Sequence, residues 1–259
     1  MYKEKIHYEN IQEDLHTLGV EAGDTLLIHS SYKSMGEIDG GANTFFEAII
    51  SYLGENGTLI MPALSYETVT FDQPYFHVKQ TPSCIGYLPE YFRTNIEDVE
   101  RSLHATHSCC VRGKLAKELI ASHEKDETPV GENSPFRKLP DYDGKILFIG
   151  CSSNRNTSMH GVEEIANPPY WLNRSRRVEY TLEDKFGNQT RRLSYRHGFI
   201  IEGKRIAQRY SRIENLLNDN EKKYGKILQA DCTLMIARAV WREGIRKMKE
   251  DPWYFVDRP

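Results

Sequence analysis

Residues 25–41 read TLLIHSSYKSMGEIDGG, a short apolar run followed by a loop of serines and glycines. The run 25–29 is typical of a buried strand, and the loop leads into a helix predicted over 43–53. Two further runs, GTLIMP (57–62) and GKILFIG (144–150), predict strands of the same kind. Because strands and helices alternate through this part of the chain, the sequence predicts an α/β fold, a central β-sheet flanked by helices.

The remaining elements follow from apolar spacing and from end signals. Asn43 is the expected cap of the helix after the first loop. After Pro168-Pro169, alternating apolar and polar side chains predict a β-hairpin around the turn DKFGN (184–188). The other helices are expected near residues 8–19, 86–95, 114–123, 205–218 and 231–250, so that a hairpin and helices complete the C-terminal part.

Composition excludes several classes of protein. The chain has 259 residues, with 34 Lys and Arg against 37 Asp and Glu, for a net charge of −3. This balance argues against a dedicated nucleic-acid-binding protein, and the aromatic content argues against disorder. No apolar run approaches the ~20 residues of a membrane span. The five cysteines lack a repeating spacing and are expected to be reduced thiols, which predicts a cytoplasmic protein. From the charge balance and the apolar runs we expect neither nucleic acid nor a membrane as partner.

We expect a single domain over residues 1–259, because a chain of this length can bury roughly 70–75% of its unfolded surface in one core. The change of pattern near residues 168–170 marks a possible internal border. That point is either the border of a second domain or the return of the chain to the same sheet, and we favour the second interpretation.

The first polar loop, 29–36 followed by Gly40 and Gly41, connects a strand end to the start of a helix. Free N–H groups and a helix dipole attract phosphate at such a place, and hydroxyls with Lys33 would complete the site. The stretch carries neither a Walker nor a dinucleotide-binding fingerprint, so it predicts neither a P-loop enzyme nor a Rossmann dehydrogenase. A simple Ser- and Gly-rich turn is equally consistent with this loop taken alone.

The second polar loop, RSLHATHSCC (101–110), contains two histidines and two adjacent cysteines. Structural zinc sites usually draw their thiolates from spaced rather than adjacent cysteines, so zinc is disfavoured here. We expect instead that the hydroxyl and imidazole groups of this loop position a ligand.

The third polar loop, NRNTSMHGVEEIAN (154–167), places His160 in the first turn of a predicted helix. Glu163 and Glu164 follow three and four residues later, and either carboxylate can reach the imidazole. A carboxylate beside a neutral histidine fixes its tautomer and stabilises the imidazolium, as a general base requires. An ion pair on a solvated helix has the same spacing, so both interpretations stay open here.

Cys151 directly follows the apolar run 144–150, where a nucleophile elbow can occur. The sequence GCSSN lacks the second glycine that such a tight turn needs. We therefore do not expect a cysteine nucleophile.

Together these pieces resemble the antibiotic N-acetyltransferase family, whose best-known members are the aminoglycoside 3-N-acetyltransferases. The matching motifs are HSSYKSMG with GG (29–41), GTLIMP (57–62), TPSCIGYLPEYFR (81–93), RSLHATHS (101–108), GENSPFRKL (131–139), GKILFIG (144–150), NTSMHGVEE (156–164) and DPWYF (251–255). The resemblance implies a fold distinct from that of the GNAT acetyltransferases, and transfer of an acetyl group from acetyl-CoA to an amine. Consistently, the sequence contains no Q/R-x-x-G-x-G/A turn.

The resemblance also implies roles for individual residues. His160 is similar to the family's catalytic base and Glu163 to the carboxylate that supports it. His104 matches the histidine of the R-S-x-H-P stretch and is expected to contact the substrate, although this chain has Ala105 in place of the proline. The residues implied to contact CoA are Ser30, Ser31, Lys33, Ser34, Thr106, His107 and Ser108.

The implied substrates are acetyl-CoA and a small-molecule amine, and no metal is expected. Aminoglycosides carry several positive charges, so carboxylates and aromatic rings should line the acceptor pocket. Glu67 and Asp72 are the first candidates for such contacts. Further candidates are Glu124, Asp126 and Glu127, with Tyr66, Tyr75 and Phe76. Direct transfer in a ternary complex is preferred, because no cysteine is well placed to form an acetyl-enzyme.

Two other functions are consistent with parts of the sequence. One is a metal-dependent hydrolase that uses His104, His107, His160 and Glu164. The other is a non-catalytic protein that binds CoA and has lost its acceptor pocket.

Overall fold

The structure is a computed structural model that describes residues 2–258, so the two terminal residues of the expected domain lie outside it. The helices are Tyr2–Leu18 (α1), Gly41–Leu53 (α2), Tyr87–Asn95 (α3), Ala116–Ile120 (α4), Pro135–Lys138 (α5), Met159–Ala166 (α6) and Ala237–Glu250 (α7). The strands are Thr25–Ser30 (β1), Thr58–Pro62 (β2), Tyr75–His77 (β3), Glu100–Arg101 (β4), Cys109–Gly113 (β5), Lys145–Ile149 (β6), Leu172–Glu183 (β7), Gln189–His197 (β8), Ile200–Ile201 (β9), Lys204–Arg205 (β10), Lys222–Ile227 (β11) and Ala230–Ile236 (β12).

A seven-stranded sheet forms the centre of the fold, in the order β11-β12-β6-β1-β2-β5-β4. Its middle is parallel, because β2 and β6 both run parallel to β1, whereas the outer strands pair antiparallel. The predicted α/β class is therefore confirmed, as a mixed sheet. Since β12 pairs with β6, residues from both sides of Pro168-Pro169 share this sheet.

Helices cover both faces of the sheet because its middle strands are apolar on both sides. On β1, Leu26 and Ile28 point into a core shared with α1 and α2, while Leu27 points into a core shared with α6 and α7. All three side chains are fully buried. The uninterrupted apolar run that predicted a buried strand thus reflects a strand covered on both faces.

The predicted hairpin is formed by β7 and β8, and β3 joins it to make a separate three-stranded sheet. Strand β8 ends at His197, which lies against residues of the second and third polar loops. The hairpin therefore contributes a side chain to the candidate site. Other side chains of this sheet belong to a small, separate hydrophobic core.

Two predicted C-terminal helices are wrong in part. The segment 205–218 forms a 3-10 turn at Tyr210–Leu216 instead of a regular helix. The segment 231–250 is split: Ala230–Ile236 is strand β12, and the helix begins only at Ala237. A strand is favoured in the first half because its backbone pairs with β6 and β11 on either side.

Asn43 does not cap α2, because the helix begins two residues earlier, with Gly40 at the cap position. Gly40 adopts a φ of 77°, in the left-handed region that favours glycine. The glycines that follow the first loop are thus required by the turn that leads into the helix.

The five cysteines are not paired in disulfides. None of the helices in residues 2–258 combines the length and the apolar character needed to cross a bilayer.

Candidate active site

The carboxyl ends of β1, β2 and β6 lie at the same edge of the central sheet, because these strands are parallel. The first polar loop leaves β1 there, and the third leaves β6. The second loop lies beside the continuation of β2, where Ala63 N–H donates to Ser108 O at 2.9 Å and Ser65 N–H donates to Thr106 O at 3.0 Å. Ligands of α/β sheets bind outside the carboxyl ends of the strands, so the three loops together form one candidate site.

Helix α6 holds His160 and Glu163 in contact. His160 Nδ1 lies 2.9 Å from Glu163 Oε2. Both residues are buried, His160 with 8% and Glu163 with 0% of its surface exposed. Of the two carboxylates that the spacing allowed, Glu163 is the one that contacts the ring. Gly161 fixes the helix against α7, because a Cβ at that position would lie 2.2 Å from Cη2 of Trp241.

Burial changes the proton affinity of this pair. It lowers the pKa of His160 to about 3, so the imidazole is neutral at physiological pH. It raises the pKa of the Glu163 carboxyl well above its usual range, and a hydrogen bond with Tyr210 opposes that shift. The Tyr210 hydroxyl lies 3.1 Å from His160 Nδ1 and accepts from Gln208 Nε2 at 2.9 Å. These groups form one hydrogen-bonded network.

Two further histidines lie against His160. His197 Nε2 is 3.1 Å from His107 Nε2, and the ring of His160 lies 4.0 Å from that of His197 and 5.7 Å from that of His107, measured between centroids. On the opposite side of the rings, His107 Nδ1 is 2.9 Å from Thr106 Oγ1, and His197 Nδ1 is 3.3 Å from the carbonyl oxygen of Trp171. We call His107, His160 and His197 the histidine cluster.

The polar groups of the first loop are only partly engaged in hydrogen bonds within the protein. Ser30 Oγ is buried and has no hydrogen-bond partner in the described part of the chain, whereas Ser34 Oγ donates to Ser31 O at 2.6 Å. Lys33 is exposed. The loop lies directly on the residue after β6, since a Cβ at Gly150 would lie 1.6 Å from Ser34 Oγ. A cavity of about 580 Å³ opens beside Ser34 and Gly150.

In the second loop, the hydroxyl of Ser108 is engaged by the protein itself. It donates to Ala63 O at 2.8 Å and accepts from Nε of the buried Arg101 at 2.9 Å. The Arg101 guanidinium also donates to Ala63 O, at 2.8 Å. Ser108 and Arg101 therefore hold this loop against the end of β2.

His104 is likewise engaged at both ring nitrogens. Its Nδ1 accepts from the backbone N–H groups of Thr106 at 3.3 Å and His107 at 3.0 Å, and its Nε2 lies 3.1 Å from Thr128 O. Burial lowers its pKa to about 4. The ring thus shapes the backbone turn that carries His107 into the histidine cluster.

The candidate acceptor residues lie in different environments. Glu67 and Asp72 are exposed, and Tyr66, next to Glu67, stacks on His107 with 6.2 Å between ring centroids. Asp126 is buried, and its carboxylate accepts from Asn133 at 2.7 and 3.0 Å, so it braces a loop.

The other four candidates are placed less favourably. Phe76 is fully buried in the core of the hairpin sheet, whereas Tyr75 is exposed and its hydroxyl donates to Glu183. Glu127 pairs with Arg177 at 3.0 Å. The backbone oxygen of Glu124 accepts from Arg192.

The four residues considered for a metal-dependent hydrolase do not converge as a set. His104 uses both nitrogens within the protein, and Glu163 rather than Glu164 faces His160. The metal-ligating side chains that the structure brings together are instead those of the histidine cluster.

Cys151 lies at the end of β6 but is not activated. Burial raises its pKa to about 11, so the sulfur is a thiol at physiological pH. Cys109 and Cys110 are fully buried in β5, and burial raises both of their pKa values.

Sequence reasoning missed His197 and Tyr210. Each lies far along the chain from His160, and the hairpin or a 3-10 turn brings it back to the site. The only local signal was the end of the predicted hairpin, which could have directed attention to the polar residues after its second strand.

Comparison with known proteins gives concordant matches. The family model described as aminoglycoside 3-N-acetyltransferase matches residues 27–249. The SPbeta prophage-derived aminoglycoside N(3')-acetyltransferase-like protein YokD of Bacillus subtilis (strain 168) is 28% identical over 257 residues, which cover 87% of this chain and 86% of that protein. Aminoglycoside N(3)-acetyltransferase III of Serratia marcescens is 30% identical over 190 residues, covering 67% of this chain and 68% of that protein. The solved structure of AAC-IIIb in a binary complex with CoASH has the same fold, with a TM-score of 0.80 and 24% identity over 94% of this chain and 96% of that chain.

Proposed function

Since the chain belongs to the family of aminoglycoside 3-N-acetyltransferases and is therefore an acyltransferase, we propose that it transfers the acetyl group of acetyl-CoA to an amine of an aminoglycoside-like substrate. The observation that carries this proposal is the buried contact of 2.9 Å between His160 Nδ1 and Glu163 Oε2 at the carboxyl edge of the sheet. That contact supports His160 as the general base and Glu163 as the carboxylate that orients it.

The acceptor reacts as its neutral amine, which forms when the ammonium ion loses a proton to solvent. A base is then required because the nitrogen becomes positively charged as the C–N bond forms. With Glu163 ionised and hydrogen-bonded to Nδ1, the neutral His160 ring has its lone pair on Nε2. This nitrogen takes a proton from the amine as the C–N bond forms, which typically accelerates such a step by ~10²–10⁴. The C–S bond of the thioester breaks, and the proton passes to the leaving sulfur. The products are the N-acetylated amine and CoA with a free thiol.

Direct transfer in a ternary complex is supported by the state of the cysteines. An acetyl-enzyme would need a thiolate or an equivalent activated nucleophile beside the base. Cys151 has a raised pKa, and the two cysteines of β5 are enclosed in the core. The histidine therefore acts on the acceptor amine itself.

For acetyl-CoA we propose a site formed by residues of the first and second loops. Ser30 supplies a buried hydroxyl without a protein partner, and Lys33 an exposed ammonium group suited to a phosphate. Ser31 and Ser34 lie in the same turn, His107 lies against the base, and the Thr106 hydroxyl contacts the far side of the His107 ring. Ser108 contributes by holding the second loop in place.

The polycationic acceptor is proposed to lie on the side of Tyr66, whose ring stacks on His107. The exposed carboxylates of Glu67 and Asp72 are suited to ammonium groups there. His104 acts on this pocket through the turn that it holds, because both of its nitrogens are already engaged.

The test is an assay of the purified protein with acetyl-CoA and a panel of aminoglycosides and simple amines. Release of free thiol and the mass of an acetylated product report turnover. We expect His160→Ala to lower kcat by ~10²–10⁴, while His16→Gln, a change at an exposed histidine on α1, leaves it unchanged. Tight CoA binding without turnover on any amine would instead indicate a non-catalytic CoA-binding protein and refute the proposal.

A further inference from the structure

We propose that His107, His160 and His197 form a three-histidine binding site for Zn²⁺, and that zinc bound there blocks acetyl transfer. The first half of this inference depends only on the geometry of the histidine cluster. The second half rests on the function proposed above for His160.

The three side chains converge from separate elements of the fold. His107 comes from the second polar loop, His160 from α6 and His197 from the end of β8. One ring nitrogen of each lies within 4.8 Å of the other two, and the Nε2 atoms of His107 and His197 are only 3.1 Å apart. A tetrahedral zinc ion with Zn–N bonds of ~2.0–2.1 Å holds its nitrogen ligands about 3.3–3.4 Å from one another. The His107–His197 pair is already close to that spacing, and rotation of the rings brings the His160 nitrogen, now within 4.8 Å, to the same distance.

The second nitrogen of each ring is already held by an outer partner. Nδ1 of His160 faces the Glu163 carboxylate at 2.9 Å, and Nδ1 of His197 faces the Trp171 carbonyl oxygen at 3.3 Å. Nδ1 of His107 faces the Thr106 hydroxyl at 2.9 Å. Carboxylate, carbonyl and hydroxyl partners of this kind orient metal-binding histidines and direct their Nε2 lone pairs at the ion.

The contact between His107 Nε2 and His197 Nε2 determines which nitrogen of each ring carries the proton. The Trp171 carbonyl can only accept, so His197 carries its proton on Nδ1 and presents a lone pair at Nε2. Without metal, His107 must therefore donate from Nε2 and accept the Thr106 hydroxyl at Nδ1. When zinc binds, the His107 proton moves to Nδ1, where the same hydroxyl accepts it. The hydroxyl of Thr106 thus satisfies the ring in both states.

The donor set selects the class of metal. Three imidazole nitrogens suit zinc and its late first-row neighbours, whereas Mg²⁺ and Ca²⁺ require oxygen ligands. Three protein ligands with an open fourth position match the arrangement of exchangeable zinc sites rather than that of closed structural ones. Because Glu163 holds Nδ1 of His160, the ligand atom and the basic atom are both Nε2, so zinc and the acceptor proton compete for one lone pair.

The experiment uses the full chain after removal of adventitious metal with a chelator. Zn²⁺ is titrated by calorimetry, and Co²⁺ by the visible absorption of a tetrahedral site. We expect one ion per chain, and His197→Gln should weaken binding by about tenfold or more. The control variant His16→Gln should bind zinc as the wild type does. Equal affinity in wild type and His197→Gln, or an octahedral cobalt spectrum, would overturn the site.

A second measurement does not depend on the folding of a variant. In the wild type, NMR of the histidine ring nitrogens should show the three Nε2 resonances of the histidine cluster shifting together on addition of one equivalent of zinc. Shifts confined to other histidines would contradict the proposal. In the acetyl-transfer assay, zinc should inhibit the wild type and a chelator should restore activity. Zinc binding at the cluster in a protein without acetyltransferase activity would leave the site intact and remove the proposed function, whereas an active enzyme that does not bind zinc would remove only the site.

Discussion

Glu163→Gln tests the contact on which the proposed mechanism depends. The variant keeps the size of the side chain and its position on α6, but it replaces the charge-assisted hydrogen bond of 2.9 Å to His160 Nδ1 with a neutral one. Hydrogen bonds to charged groups contribute about 1.5–3 kcal/mol, and a tenfold change in rate corresponds to about 1.4 kcal/mol. If that stabilisation applies to the imidazolium formed in the transition state, kcat/KM should fall by about 10- to 100-fold.

The pH profile gives a second readout of the same change. Burial raises the pKa of the Glu163 carboxyl, and the proposed mechanism requires this group to be ionised. Activity of the wild type is therefore present above that raised pKa and is lost as the pH falls through it. In Glu163→Gln this inflection should disappear, because the remaining group, His160, has a pKa lowered to about 3.

The assay is thiol release from acetyl-CoA across a pH series, together with the Tm of each variant. Glu163→Gln should retain the wild-type Tm, since it removes a buried ionisable group whose hydrogen-bonding shape is kept. In a His160→Ala background, Glu163→Gln should cost little further activity, because two residues that act as a unit are not additive. Wild-type activity with an unchanged pH profile, or fully additive losses in the double variant, would refute the assigned roles.

Three other changes test separate parts of the structure. Lys33→Ala should raise the Kd for CoA by about two- to fivefold and reduce its dependence on salt, as measured by calorimetry, because the exposed ammonium is proposed to meet a phosphate. Gly161→Ala should lower the free energy of unfolding by ~1–3 kcal/mol and also lower kcat, because the added Cβ would lie 2.2 Å from Trp241 and displace α6. Burial raises the pKa of Asp126 to about 6 from 3.8, so protonation of this carboxyl stabilises the folded state. That stabilisation is complete below about pH 4 and is lost as the pH rises through 6. Asp126→Asn keeps the side-chain oxygen that accepts from Asn133. Between pH 4 and pH 7, its free energy of unfolding in urea should therefore rise by about 3 kcal/mol relative to that of the wild type.

Each of these three predictions has a contrary result. A CoA affinity in Lys33→Ala equal to that of the wild type would show that this ammonium is merely exposed. Gly161→Ala with normal stability would mean that α6 and α7 can separate freely. A stability difference that does not vary with pH would show that Asp126 titrates in the folded state as it does in the unfolded chain.

Local patterns were enough to predict the three parallel strands in the middle of the central sheet. The runs 25–29, 57–62 and 144–150 are short, apolar and bounded by turn residues, and each forms a strand. The sequence predicts a helix for the segment 231–236, because Leu234 continues the apolar spacing of the helix that follows it. Its strand conformation depends on pairing with β6 and β11, which no local spacing reveals.

The candidate site shows the same division. The His160–Glu163 contact joins residues three positions apart on one helix, so the sequence contained the information needed to predict it. The approach of His197 and Tyr210 depends on the hairpin and on the turn after it, and those contacts span tens of residues along the chain. Short-range chemistry was therefore predictable, and the surroundings that set its proton affinity were not.

In the mechanism proposed here for this chain, the residues that determine the reaction are separate from those that contact the acceptor. His160 and Glu163 lie on a buried helix whose position is fixed by the fit of Gly161 against Trp241, so small changes there displace the base. The proposed acceptor carboxylates of Glu67 and Asp72 lie on exposed loops, where substitution leaves the core packing intact. Loops tolerate such variation because their backbone is already at the surface. With the proposed roles, one rigid base can serve amines of different shape, with the choice of acceptor set by exposed side chains and the rate of proton transfer set by buried ones.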